Sequence, residues 1–78
     1  MNEGELELYE VDWGKNPPRR RRIRAEDARA ACTRICNLYG WVRRGAPLLD
    51  ARTKGRMCCE MLVTIPSGKF RLLSARIV

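Results

Sequence analysis

Histidine is missing from this chain of 78 residues. With it go the commonest general acid–base and the commonest metal ligand near neutral pH. No apolar run approaches the roughly 18 residues that would suggest a membrane-spanning helix. The first residues are acidic and lack an apolar stretch, so no signal peptide is expected and the cytosol is the expected compartment. Aromatics are scarce: Tyr9, Trp13, Tyr39, Trp41 and Phe70. They do not follow the interleaved pattern of a base-stacking sheet, and core or rim packing is expected for them, with Trp13 and Trp41 flanking basic segments. Bases are absent from residues 1–12, which carry Glu3, Glu5, Glu7, Glu10 and Asp12.

What the chain does hold is arginine. Residues 15–78 carry all 16 Lys and Arg against Glu26, Asp27, Asp50 and Glu60, for a formal net charge of +7 over the whole chain. Thirteen of the 16 are Arg, whose planar fork suits carboxylate and phosphate and gives up water more readily than Lys. The basic part opens with Arg19-Arg20-Arg21-Arg22, closely followed by Arg24. This distribution predicts an acidic partner and a steep salt dependence of binding. The expected contacts are Arg19, Arg20, Arg21, Arg22, Arg24, Arg43, Arg44, Arg52, Lys54 and Arg56, converging on one patch with Trp41 as an apolar anchor. The competing structural role is a solvated edge strand that blocks aggregation.

Length and composition give a single domain over residues 1–78, 45% hydrophobic and therefore folded rather than disordered. A core this small calls for support from a dimer, a disulfide or a partner. Residues 5–13 alternate imperfectly and read as a strand with a bulge near Leu8-Tyr9. Residues 14–18, with Gly14, Pro17 and Pro18, read as a turn. Arg19 to Arg24 read as a second strand, with Ile23 inward and its arginines facing the carboxylates of residues 5–12. Residues 25–39 read as a helix whose apolar stripe is Ala28, Ala31, Cys32, Ile35, Leu38 and Tyr39, stopped at Gly40. Trp41 and Val42 begin a short strand or pack as a plug. Residues 43–56 read as a long loop.

Residues 57–65 and 69–77 form the best hairpin, around Pro66-Ser67-Gly68-Lys69. Pairing Ile65 with Phe70 sets Val63 opposite Leu72 and leaves Leu62, Leu73 and Ile77 on the outer face, a candidate dimer interface. The whole reads as an α+β fold, a small antiparallel sheet in the order β-β-α-β-β with one helix on a face.

The four cysteines admit a zinc site, reduced core thiols or a disulfide. Adjacent strand residues point to opposite faces, so Cys58 and Cys59 do not easily share one tetrahedral ion, and no metal is expected. Cys59 lies in register with Met61 and Val63 on the more apolar face, which leaves Cys58 outward as the candidate for an intermolecular disulfide. No cofactor motif is present, and nothing lowers a thiol pKa beside a catalytic partner, so an enzyme is not expected. The carboxylates of residues 5–12 read as a solvated strand face.

In its strand, arginine-rich segment, helix and hairpin, ending at Val78 and without catalytic residues, the chain resembles the small accessory proteins of phages and mobile elements, of which the anti-CRISPR inhibitors are the best known. The resemblance implies stoichiometric binding and no chemistry. Many such inhibitors are acidic mimics of nucleic acid, and this chain departs from them in being basic. It is therefore expected to bind an acidic protein surface of a nucleic-acid-handling complex or, alternatively, DNA or RNA itself as a small regulator. A homodimer is a further candidate partner, and no membrane is expected.

Overall fold

The expected strands and helix are present, with a short strand at Val42, one of the two readings for Trp41 and Val42, and one further short strand that was not expected. The computed structural model describes residues 6–15 and 17–78; Glu3 and Glu5, placed in the acidic stretch above, lie outside them. The elements are β1 (Glu7–Lys15), β2 (Pro18–Ala25), α1 (Ala28–Tyr39), β3 (Val42–Arg43), β4 (Leu48–Leu49), β5 (Cys58–Thr64) and β6 (Phe70–Ile77). The strands make one antiparallel sheet in the order β2-β1-β6-β5-β3, with β4 also on β5. Helix α1 covers one face. This is the small α+β fold expected from the sequence. No described helix is long and apolar enough to cross a membrane.

The core lies between α1 and the sheet. Tyr9 and Val11 come from β1, Cys59, Met61 and Val63 from β5, and Leu73 and Ala75 from β6. Against them the helix lays Ala28, Ala31, Cys32, Ile35 and Cys36. Small side chains at 28, 31 and 32 let the helix settle close to the strands. Leu38, expected in this stripe, is 53% exposed. The 3/4 spacing runs through Cys36 instead, and a thiol there passes for a small hydrophobe.

The helix is shorter at its start than its composition suggests. Ala25 is still strand and Asp27 is the N-cap, with extended φ and a side chain accepting from Ala30 N at 2.6 Å. Serving as cap, Asp27 stands before the first turn rather than in it. At the other end Gly40 takes φ 71° in the left-handed region, and Trp41 N donates to Cys36 O.

The β5–β6 hairpin is one residue out of the expected register. Thr64 pairs with Phe70, Met61 with Leu73 and Cys59 with Ala75. Ile65 N donates to Lys69 O and Gly68 N to Ile65 O, so the loop is Pro66-Ser67-Gly68 with Gly68 at φ 87°. That is a three-residue connection with a glycine bulge, one residue shorter than the turn read from composition. A slip of one residue exchanges the faces of a strand. Leu73 is therefore buried and Ile77 is half-buried against the core, while Leu72 and Phe70 face outward with Leu62. The expected outer trio of Leu62, Leu73 and Ile77 does not exist.

The bulge in β1 falls between Asp12 and Gly14, not near Leu8-Tyr9. Upstream of it Tyr9 and Val11 alternate cleanly into the core. The expected loop at residues 43–56 holds the last residue of β3, all of β4 and an anchored turn, described below.

Candidate partner-binding surface

The arginine run lies on β2, the outermost strand. Its pairing with β1 sets Asp12 opposite Arg20 and Glu10 opposite Arg22. Strand side chains alternate, so Arg20, Arg22 and Arg24 share the face turned away from the helix with these acids. Arg19 and Arg21 share the helix side with Ile23. Pairing with acids across β1 was legible in the sequence, and it is what the register provides.

Glu10 is the hinge of this arrangement. Its carboxylate accepts from Arg22 Nε at 3.4 Å and, from the opposite side, from Arg76 NH2 at 3.3 Å. Its side chain is only 13% exposed while those of Arg22 and Arg76 are 61% and 62% exposed. The acid is covered and the guanidinium groups keep donors for solvent or a partner. Partial desolvation pushes the Glu10 carboxyl up, but the hydrogen bonds from Arg22 and Arg76 and the nearby Arg20 outweigh it and hold it below its ordinary value. Glu10, Asp12, Arg20 and Arg76 line one shallow depression. Arg76 was not among the expected contacts; the pairing of β6 with β1 sets it opposite Glu10.

At the far end of β1 the bulge turns Trp13 toward the helix. Its ring meets Trp41 edge-on at 5.3 Å and Tyr39 at 5.7 Å, and Tyr39 stacks on Trp41 at 4.9 Å. Trp13 and Trp41 are half-buried against the core. The three rings spend much of their surface on each other and close the end of the core. Trp41 is thus part of a plug rather than a projecting anchor. Arg21 donates to the Tyr39 hydroxyl at 3.2 Å, and Trp13, Arg19, Arg20, Arg21 and Tyr39 border an open groove.

The other expected contacts lie elsewhere. Arg43, on β3 opposite Val63, stands at the far edge of the sheet from β2. Four strand spacings separate those edges, about 19 Å. Arg44 lies over the Phe70 ring at 5.6 Å. Arg52, Lys54 and Arg56 belong to a turn at the other end of the helix. The expected single patch of all ten bases is therefore not formed. Strand alternation divides the run between two faces, and the topology puts the remaining bases at separate places.

That turn is built by Asp50. Its carboxylate accepts from Thr53 N at 2.7 Å, from the Thr53 hydroxyl at 2.6 Å and from Gly55 N at 3.0 Å. The Thr53 hydroxyl contributes most; desolvation opposes it, and backbone N–H groups of Thr53, Gly55 and Cys58 add to it, taking the carboxyl from 3.8 down to about 2. The turn then serves the helix. Ala28 N donates to Arg56 O and Arg29 N to Gly55 O, while the Tyr9 hydroxyl donates to Arg56 O at 2.8 Å. With Asp27 serving Ala30, the free donors of the helix N-terminus are satisfied.

Cys32, Cys36 and Cys59 are buried free thiols and Cys58 is exposed, as alternation requires. Burial pushes all three buried thiols up, so they pack as hydrophobes and resist ionisation. Among the described residues no three or more Cys, Asp or Glu are grouped to hold a metal ion. The outer face beyond Cys58 is apolar as expected but with other members: Leu62 is joined there by Leu48, Phe70 and Leu72, all exposed, in place of Leu73 and Ile77. No protein-family model, no curated protein and no solved structure matches this chain.

Proposed function

We propose that this chain is a non-enzymatic basic binding protein that blocks a nucleic-acid-handling complex by stoichiometric occlusion, docking its arginine strand on an acidic surface of that complex. Stoichiometric occlusion is what the likeness in size and layout to small phage-type inhibitors implies, and on this reading the protein acts in the cytosol. The observation that carries the reading is β2 itself: five exposed arginines on the outermost strand, of which Arg22, in direct reach of the Glu10 carboxylate, is still largely open to water. Charge-assisted pairs of this kind give fast, salt-sensitive association. The test is capture of the target complex from lysate by wild type and by Arg19→Ser, Arg20→Ser, Arg21→Ser and Arg22→Ser combined, with the fold checked by circular dichroism. Capture lost with the fold intact supports the reading; undiminished capture sinks it.

A second reading, direct binding of DNA or RNA, draws on the groove where Arg19 and Arg21 border Trp13 and Tyr39. Stacking plus phosphate contact is the chemistry that such a pairing offers. A gel-shift series with random-sequence strands decides it: a shift that fades steeply with salt favours this reading, and none at low salt removes it.

A further inference from the structure

We propose that the open edge of β2 is a strand-addition site for an extended acidic segment of a partner protein, which lengthens the sheet beyond its arginine strand. This rests on the acidic-surface reading above and specifies what that surface is. Among the described residues β2 pairs only with β1, so along eight residues every second backbone N–H and C=O faces away from the sheet. The opposite edge is blunted by strands of two residues each, so β2 is the long open edge.

The identity of the occupant follows from charge. Five of the eight residues of β2 are Arg and none is acidic. A second copy of β2 laid against it would set arginine beside arginine, and like charges on neighbouring strands repel. An acidic strand is attracted instead, and the molecule already contains one example. On its covered side β2 accepts β1, whose Glu10 and Asp12 stand two residues apart and meet Arg22 and Arg20 in register. A partner strand with acids at alternate positions repeats this arrangement on the open side, meeting Arg20, Arg22 and Arg24. Main-chain hydrogen bonds supply affinity and the alternate carboxylates supply specificity.

The test uses the full chain and three labelled probes read by fluorescence anisotropy. One is a peptide alternating glutamate with valine, one has lysine for glutamate, and one is the acidic peptide N-methylated at every second amide on the pairing edge. The acidic peptide is expected to bind and to slow hydrogen exchange at the amides of β2, and the lysine peptide to fail. Methylation keeps the charge and removes the donors, so it should weaken binding at least about tenfold. Arg20→Ser with Arg24→Ser, which leaves the Arg22–Glu10 pair in place, should weaken it about tenfold as well. Equal affinity for the methylated peptide overturns strand addition while leaving charge docking on an acidic surface intact. Binding of neither acidic peptide, with the target complex still captured, has the same meaning. A single-stranded oligonucleotide that protects the same amides, where the acidic peptide does not, also overturns it.

Discussion

Asp50 carries more of this fold than its place in a basic loop suggests. Its carboxyl is held near 2 against an ordinary 3.8, so the folded state favours the charged form. The stability this contributes is fully present above about pH 4 and is lost as pH falls toward 2. Asp50→Asn should lower the melting temperature at pH 7 and flatten the acid limb between pH 4 and 2, as thermal melts across that range will show. Asp27→Ala removes the helix cap and should cost about 1 kcal/mol in urea unfolding. Gly55 stands at φ 86°, and an added Cβ would lie 2.6 Å from Leu49 Cδ2. Gly55→Ala should therefore destabilise by more than about 1 kcal/mol, through backbone strain and displacement of Leu49. Gly40 announced its role in the sequence because a glycine after an apolar stripe has one common meaning. Asp50 did not, because its turn makes sense only against the helix start that it supports.

Among the elements, the hairpin offers the sharpest test of register. With Met61 opposite Leu73, Leu73→Ala should cost about 2–5 kcal/mol, whereas Leu72→Ala on the outer face should stay within about 0.5 kcal/mol. The register read from composition gives the reverse order, so chemical denaturation of the two variants separates them. The strand-strand-helix-hairpin order was legible because periodicity and breakers are local signals. The register was not, because Pro66-Ser67-Gly68-Lys69 admits loops of three or four residues and only the closing bond of Ile65 with Lys69 decides. The bulge was misplaced for a related reason. Trp13 is the residue that must turn to meet Tyr39 and Trp41, and both partners come from a distant segment. Of the candidate surface, the pairing of Glu10 and Asp12 with the run was visible, whereas the division of the run between two faces and the arrival of Arg76 depended on topology.

At the scale of the whole molecule, burial sorts the thiols. A thiol reagent added to native protein should modify Cys58 rapidly and Cys32, Cys36 and Cys59 only upon unfolding. Cys58→Ser should abolish the fast phase, which a stopped-flow trace reads directly. The topology has a kinetic corollary. β6, last in sequence among the described strands, is central in the sheet, and the contact between Arg76 and Glu10 closes a span of 66 residues. Until a nascent chain has released β6 from the ribosome, β1 and β5 each keep a raw edge and the helix has no complete floor to rest on. Commitment to the native state therefore waits for β6, and the long closure places refolding toward the slower, millisecond-to-second side of small domains.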